Sequence, residues 1–227
     1  MWCVADLTDD YLKSMEEVLE VYERPYNPAE PVICLDEKPL SLHADVRPAR
    51  PMAPGKPKRP DNKYKRCGTA NVFCAVEPKA GKHFTLATPN RCAPQLAQAL
   101  ETIIGSYAGA DTIHLIMDNL NIHGPKTLTD YFGKERGTEL WSRLTVHYTP
   151  KHGSWLNQAE IEISLFARQC LHRRRIPTLA LLQQEAAAWN AKVNLDRVTI
   201  DWRFTRKKAR IKFGYERKRN RFIRSKT

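Results

Sequence analysis

The sequence contains six cysteines but no Cys-x-x-Cys pair, and several of the six lie among apolar residues. A zinc site or a disulfide framework needs cysteines at paired or regular spacings, so neither is expected, and a reducing compartment is favoured. Acidic residues occupy the N-terminal stretch where a secretion signal has its apolar core, and no apolar run approaches membrane-spanning length. We therefore expect a cytosolic protein that makes no membrane contact.

The net charge of +12 is concentrated in two segments. Eight basic residues stand against one acid between Val46 and Arg66, and twelve stand against one acid between Arg203 and Thr227, so the rest of the chain is net acidic. One such block alone is as consistent with a solvated tail as with a binding site. Two separate blocks on an acidic body favour nucleic acid as the partner, because basic side chains neutralise its phosphates.

The candidate nucleic-acid-binding residues of the two blocks are Arg47, Arg50, Lys56, Lys58, Arg59, Lys63, Lys65 and Arg66, followed by Arg206, Lys207, Lys208, Arg210 and Lys212. In the first block a proline recurs at every third position from Pro48 to Pro60, which favours an extended polyproline-type arm. The arm is expected to lie along DNA or to hold a neighbouring subunit, with a disordered linker as the alternative. Tyr215 and Phe222 in the second block either stack on bases or anchor that block to the body.

Hydrophobic periodicity and turn residues predict the order of the elements. The predicted elements are a helix over Asp9–Glu23 capped by Thr8, strands over Val32–Asp36, Ala70–Glu77 and His83–Thr88, a helix over Ala93–Tyr107, a strand over Thr112–Asp118, a short helix after Pro125, a strand over Leu144–Tyr148, and helices over Leu156–Leu171 and Leu179–Val193. No internal repeat is evident. Three strands followed by alternating helices and strands predict an α/β fold with one mixed five-stranded sheet and helices on both faces.

Three acidic residues stand where a metal site needs them. Asp36 and Asp118 each end an apolar stretch, and Glu160 lies at the start of a predicted amphipathic helix. A carboxylate at the end of a buried strand must be solvated, paired or metal-bound, and carboxylates at strand ends and a helix start can converge on one site. The alternatives are an ion pair of Asp36 with Lys38, an Asx-turn at Asp118, and a helix-capping role for Glu160.

Two neighbouring acids have to be weighed against these residues. Glu37 points to the strand face opposite Asp36, so the two are not expected to share one metal. On a helical wheel Glu160 lies beside the apolar stripe of its helix, whereas Glu162 lies on a polar side. We therefore expect Glu160 to face the body of the protein and to be the ligand.

The strings CLDEKP, IMDNLNIH and YTPKHGSWLNQAEIE, in this order, resemble the catalytic domain of mariner-like DDE transposases of bacterial insertion sequences. The resemblance covers nearly the whole chain, including the stretch IDWRFTRKKARIKF. It implies a ribonuclease H-like fold, and it maps the three carboxylates of the family to Asp36, Asp118 and Glu160. Matching motif positions near the site are expected to contact DNA or to support the ligands: His123, Lys151, His152 and Asn157.

The resemblance also implies metal-assisted phosphoryl chemistry. Two Mg²⁺ or Mn²⁺ ions, bridged by Asp36, would activate a water or a DNA 3′-hydroxyl and stabilise the leaving oxygen. The implied protein is a DNA transposase that cleaves double-stranded transposon ends and joins them to target DNA, acting as a homodimer in the bacterial cytoplasm at the nucleoid. The alternatives are a decayed nucleic-acid-binding remnant and a ribonuclease H-like nuclease.

The implied organisation has three parts: an N-terminal helix and linker over 1–30, a ribonuclease H-like DDE catalytic domain over 31–195 with the basic Pro-rich arm at 46–66, and a basic C-terminal tail over 196–227. The family carries helix-turn-helix modules before its catalytic domain, and here one short predicted helix precedes Asp36. The interval from Asp118 to Glu160 is longer than in the wider mariner group. We expect the extra residues, GKERGTELWSRL, to form a surface loop.

Overall fold

A computed structural model of the chain describes residues 7–57, 59 and 61–215. Its elements, in chain order, are α1 (Asp9–Glu23), β1 (Val32–Asp45), β2 (Tyr64–Glu77), β3 (Lys82–Thr88), α2 (Ala93–Gly105), β4 (Ile113–Met117), α3 (Pro125–Phe132), α4 (Lys134–Ser142), β5 (Leu144–Tyr148), α5 (Ala159–Phe166), α6 (Leu179–Asp196) and α7 (Arg206–Phe213). A 3₁₀ turn at Ser154–Leu156 precedes α5, and a π-helical turn at Ala167–Leu171 extends it. In the part of the chain described, no helix has the length and apolar content to cross a bilayer.

The five strands form one mixed sheet in the order β3-β2-β1-β4-β5. β1, β2 and β3 pair antiparallel, whereas β4 pairs parallel with both β1 and β5. The predicted mixed five-stranded sheet is thereby confirmed. β1 lies at its centre, between the antiparallel half and the parallel half.

The side chains of β1 alternate between two cores on opposite faces of the sheet. Ile33 and Leu35 pack in the core formed with α2, α3 and α4. Cys34 packs in the core formed with α1, and α5 and α6 cover the neighbouring part of the same face. Helices therefore cover both faces, as predicted, and Asp36 projects from the same side of β1 as Cys34.

Helix α1 begins and ends where the sequence predicts. The Thr8 hydroxyl accepts a hydrogen bond from the Tyr11 N–H at 3.2 Å, which satisfies one free amide of the first turn. Met15 and Leu19 are fully buried, and Pro25 follows the end of the helix. Because α1 is fixed on the Cys34 face of the sheet, its first turn comes to lie near the end of β4.

The prediction that β1 ends at Asp36 is wrong. β1 continues to Asp45 and pairs with a β2 that begins at Tyr64, so the two strands form a long hairpin. β4 pairs with β1 only as far as Cys34, which makes the rest of β1 an edge segment. Proline is tolerated on such an edge, and this explains how Pro39 lies within the strand.

The Pro-rich arm is the tip of this hairpin, and it turns back on itself instead of running out as one polyproline rod. Isolated bridges join Arg50 to Arg59 and Ala53 to Lys56. Gly55 has φ +73° at the turn, a conformation that favours glycine. Arg175 holds the base of the arm by donating to the Asp45 carboxylate and to the main-chain oxygens of residues 61 and 63.

The segment expected to be a surface loop between α3 and β5 is mostly the helix α4. Leu140 is buried in the core beneath it. Gly137 lies so close to α3 that a Cβ atom would stand 2.5 Å from the Thr129 Cα. The sequence prediction missed this helix because the segment is polar and short, and its packing depends on α3.

The C-terminal basic segment is not a free tail over the residues described. α7 packs on α1, with Ala209 fully buried between them. Arg206 forms ion pairs with Glu20 and Glu23, and Arg210 forms one with Glu16. The Tyr215 hydroxyl also donates to Glu16, so Tyr215 anchors the segment to the body. Phe222 lies outside the described residues.

Candidate active site

Asp36 lies within β1 and is held by a hydrogen bond to each carboxylate oxygen. Its Oδ1 accepts from the Glu37 N–H at 2.8 Å. Its Oδ2 accepts from the Asn157 Nδ2 at 3.4 Å. The side chain is partly buried, so its orientation is set by the protein and not by solvent.

Asn157 connects Asp36 to the start of α5. Its Nδ2 also donates to the Leu35 main-chain oxygen at 2.8 Å, and its Oδ1 accepts from the Ala159 N–H at 3.1 Å. The Asn157 main-chain oxygen accepts from the Glu160 N–H at 3.1 Å. Asn157 is only 2% exposed, so of its two predicted roles the support of Asp36 fits this structure and a DNA contact does not.

Asp118 is the first residue after β4 and lies beside Asp36. The last pair of the β1–β4 ladder joins Cys34 to Ile116, and the same register continued by two residues places Asp36 next to Asp118. Neighbouring strands are about 4.8 Å apart, and residues in register project from the same face. The fold therefore brings these two predicted residues together.

His123 lies in the loop after Asp118, with both ring nitrogens occupied. Nδ1 lies 2.8 Å from the Asp118 main-chain oxygen and 2.7 Å from Asp118 Oδ1, and Nε2 lies 2.9 Å from Glu37 Oε1. Burial alone lowers the pKa of His123, but the hydrogen bonds to Asp118 and Glu37 outweigh it and raise the pKa to about 10. Because His123 is buried with no free ring nitrogen, the prediction that it contacts DNA does not fit this structure.

The helical wheel placed the two acids of α5 the wrong way round. Glu162 is 1% exposed, and its two oxygens lie 3.0 and 2.9 Å from His83 Nδ1. Glu160 is exposed, and its carboxylate makes no hydrogen bond or ion pair within the described residues, so a capping role is not supported either. Glu160 remains the better ligand candidate for a new reason: its carboxylate is accessible, while that of Glu162 is occupied.

Burial, together with the smaller effect of the charges of Glu160, Glu37 and Asp118, raises the pKa of Asp36 from its ordinary value of 3.8 to about 7. The Glu37 N–H works against this shift by stabilising the charged form. The negative charges of Asp118 and Glu160 therefore both act on the carboxyl of Asp36. The convergence of all three carboxylates on one metal site stays a prediction.

A divalent cation fits the chemistry of this donor set. Three carboxylates are the oxygen ligands that Mg²⁺ and Mn²⁺ prefer, and their mutual repulsion is what a cation would relieve. Asp118 Oδ1 is buried, and its neighbour within the described residues is the His123 ring, whose Nδ1 lies 2.7 Å away and is shared with the Asp118 main-chain oxygen. Within the described residues, however, no three His, Cys, Asp or Glu side chains are close enough to surround one ion. Pairs of ligands that share Asp36 fit this arrangement better than a single three-carboxylate cage.

Asp118 also borders a cavity of about 660 Å³. The first turns of α1 form one wall, and the other wall includes Lys151, His152 and Ser154. Lys151 and His152 are exposed, and His152 has φ +63°. Their positions suit contacts with a DNA strand near Asp118, which stays a prediction.

The basic residues of the two blocks differ in how they are used. Those of the arm that the structure describes are all exposed, and none forms an ion pair within the described residues: Arg47, Arg50, Lys56, Arg59, Lys63, Lys65 and Arg66. Lys58 lies outside the described residues. In α7, Arg206 and Arg210 are paired with α1, which leaves Lys207, Lys208 and Lys212 exposed.

The role of Glu37 was missed at the level of sequence. The strand pattern correctly places Glu37 on the opposite face from Asp36. It therefore excludes Glu37 as a ligand of the same metal, but it does not indicate another role. The histidine five positions after Asp118 was the available signal, because a buried histidine near a strand end needs an acceptor. The partner itself was not visible, since Glu37 lies in another strand.

Comparisons with known proteins agree with this description. A family model described as DDE superfamily endonuclease matches residues 31–183. Similar solved structures include the Mos1 mariner paired end complex with Mn (13% identity, TM-score 0.51), the Mos1 paired-end complex with left transposon end (12%, 0.53) and the Mos1 strand transfer complex (14%, 0.53). Each match covers 87% of this chain. No curated protein matches the chain.

The chain spans about 60% of the length of these Mos1 chains. At such low identity the structural likeness shows the fold alone, and it confirms the ribonuclease H-like fold implied by the sequence motifs. The family match shows more than the fold, because the model covers more than half of the chain and includes Asp36, Asp118 and Glu160. The chain therefore belongs to the DDE superfamily endonuclease family.

Proposed function

We propose that this chain is the catalytic domain of a DNA transposase of the mariner-like group found in bacterial insertion sequences. In this proposal it cleaves transposon-end DNA and joins the cut ends to target DNA. The observation that carries the proposal is the position of Asp36, which lies beside Asp118 and is tied through Asn157 to the helix that bears Glu160. Family membership and the fold shared with a Mos1 strand transfer complex support it.

Asp36, Asp118 and Glu160 are the proposed ligands of two Mg²⁺ or Mn²⁺ ions, with Asp36 between them. Such ions, when bound, activate the attacking water or 3′-hydroxyl and stabilise the leaving oxygen. The residues of this chain do the positioning: the Glu37 N–H and Asn157 orient Asp36, and His123 orients Asp118. One of the similar solved Mos1 complexes contains Mn, which supports the choice of metal.

Double-stranded DNA is the proposed partner, and the exposed basic arm and the cavity beside Asp118 are its proposed contacts. A homodimer is part of the proposal because transposition requires two DNA ends to be held together. The similar Mos1 structures are paired-end complexes, which supports this arrangement. Such a protein acts in the cytoplasm at the nucleoid.

Cleavage of a supercoiled plasmid in the presence of Mn²⁺ tests the reaction. We expect Asp118→Asn and Glu160→Gln each to lower the nicking rate by roughly 10³-fold or more, the scale seen when one member of a catalytic unit is lost. Matched controls are Asp130→Asn and Glu135→Gln, whose carboxylates are exposed on α3 and α4. Glu162→Ala is not a suitable control, because it would leave His83 buried without its partner.

The outcomes of this assay separate the candidate functions. Wild-type protein that binds the plasmid but never nicks it with any divalent metal is a binding remnant. Wild-type protein that cleaves only RNA–DNA hybrids is a ribonuclease H-like nuclease. Equal loss of activity in the control variants would contradict the assignment of Asp118 and Glu160.

The charge on Asp36 makes a prediction about stability. Its pKa is raised in the folded protein, so the fold disfavours the charged form: stability is unaffected below about pH 4, falls as pH rises toward 7, and stays lower above it. Asp36→Asn should therefore raise the unfolding free energy of the metal-free protein by about 1–3 kcal/mol at pH 8, and by almost nothing at pH 4.

Thermal unfolding with and without Mn²⁺ measures this effect, with Asp130→Asn as the exposed control. Mn²⁺ should raise the Tm of the wild type, because it binds only the folded state, and should not raise that of Asp36→Asn. An Asp36→Asn variant that is less stable than the wild type at pH 8 would contradict this account of the site.

The arm makes a prediction about salt dependence. Three substitutions to glutamine, at Arg47, Arg50 and Lys56, should reduce the slope of log K for duplex DNA against log salt by roughly 2–3 units, because each phosphate that a basic side chain neutralises adds about 0.9 to that slope. The control has the same charge change at three exposed positions outside the arm: Lys13, Arg91 and Lys192. Equal slopes for the two triple variants would show that the arm does not carry the DNA contacts.

A further inference from the structure

Glu37 is a buried carboxylate with an unusual position. Its side chain is 2% exposed and projects from β1 on the same side as Leu35, away from the face that bears Asp36. A charged group in such a core is costly unless it is paired and hydrogen-bonded. The groups that pair with the Glu37 carboxylate therefore indicate its role.

Glu37 makes two connections, and they lead to two different ligand candidates. Through its main chain, the Glu37 N–H donates to Asp36 Oδ1 at 2.8 Å. Through its side chain, Oε1 lies 2.9 Å from His123 Nε2, and the Nδ1 of the same ring lies 2.7 Å from Asp118 Oδ1. Asp36 and Asp118 are thus joined through a single residue of β1.

His123 is held firmly enough to transmit this constraint. Its main-chain N–H donates to the Leu120 oxygen at 2.9 Å, and its main-chain oxygen accepts from the Tyr148 hydroxyl at 2.5 Å. The loop after β4 is therefore fixed at both the backbone and the ring. Asp118 Oδ1 is buried against His123, yet the Asp118 side chain is 39% exposed, which leaves its other oxygen accessible to a ligand.

The other buried glutamates of the described residues show that this arrangement is not a general feature of the core. Glu77 in β2 is 4% exposed and accepts from the Tyr107 hydroxyl, with no connection to Asp36 or Asp118. Glu162 is paired with His83, whose other nitrogen bonds the Val198 main-chain oxygen. Among the three, the Glu37 pair is the one that touches both Asp36 and Asp118.

We propose that Glu37, acting through His123, is a positioning residue that sets the distance and orientation between Asp36 and Asp118 and so prepares the pair to bind a divalent cation. This inference rests on the proposed metal-binding function of the site. Without the Glu37 carboxylate the His123 ring loses the acceptor that fixes its orientation. Asp118 then loses its lateral support, although the Asp36 and Asp118 side chains are both still present.

Isothermal titration of the full chain with MnCl₂ tests this role. Glu37→Ala should weaken Mn²⁺ binding by about 10- to 100-fold, the range found when residues that orient metal ligands are removed. Glu37→Gln should restore most of the loss, because its amide oxygen still accepts from His123 Nε2. Glu77→Ala is the matched control: it also removes a buried strand glutamate, and it should bind Mn²⁺ as the wild type does.

A second comparison separates the tether from a general loss of stability. His123→Ala breaks the same connection from the loop, so it should weaken Mn²⁺ binding to a similar degree, and adding Glu37→Ala to it should cause little further loss. This variant also carries the test if Glu37→Ala does not fold, which circular dichroism would show.

The results distinguish the proposed function from the role of Glu37. If the wild type takes up no Mn²⁺, both are overturned. If the wild type binds Mn²⁺ and the folded Glu37→Ala and His123→Ala variants bind it equally well, the positioning role alone is overturned. A Glu77→Ala variant that loses as much affinity as Glu37→Ala would also overturn it.

Discussion

The carboxylate of Asp36 is partly buried on the central strand, and the rest of the site is arranged around it. A buried carboxylate needs hydrogen-bond donors or a cation, and the protein supplies one donor to each oxygen. The donor from Glu37 belongs to β1 itself. The donor from Asn157 belongs to the turn before α5 and also holds the Leu35 main chain. The groups that orient the Asp36 carboxylate, the Glu37 N–H and the Asn157 amide, therefore also belong to the strand and the turn that build the fold.

The parallel and antiparallel ladders of β1 position different parts of the molecule. The parallel ladder with β4 ends at Cys34 and sets Asp118 beside Asp36. The antiparallel ladder with β2 continues to Asp45 and carries the basic arm away from the body. One strand thus links the proposed metal site to the proposed DNA contact. Arg175 holds the arm at its base.

Charge is balanced unevenly over the molecule. In α7 the arginines are paired with acids of α1, so part of the C-terminal basic block stabilises the fold. Around Asp36, by contrast, burial and the nearby like charges raise the pKa of its carboxyl. Functional sites commonly keep such unfavourable charge clusters at some cost in stability. In the proposed function, a bound cation would relieve this repulsion.

Much of the fold follows from local patterns in the sequence. The bounds of α1 and β5 could be predicted because residues that begin or end an element flank each pattern. In α1, Thr8 caps the first turn and Pro25 follows the last. The end of β1 could not be predicted, because its apolar run stops at Asp36 while the pairing with β2 continues. The packing of α7 on α1 joins residues that are separated by most of the sequence, so local sequence patterns could not predict it.

The candidate site shows the same division. Asp36 and Asp118 were predictable because both follow buried strand segments and stand in family motifs. The choice between Glu160 and Glu162 was made on the wrong physical ground, since a helical wheel counts apolar neighbours and misses a buried partner such as His83. The role of His123 was hidden for a similar reason: its acceptor Glu37 lies in a distant strand.

The central claim is that Asp36, Asp118 and Glu160 bind divalent cations with Asp36 shared between them. Anomalous diffraction from crystals grown with Mn²⁺ measures this directly. The account predicts two peaks, each within about 2.5 Å of an Asp36 oxygen, one also contacting Asp118 and the other Glu160. Peaks that avoid Asp36, or their absence at saturating Mn²⁺, would contradict it.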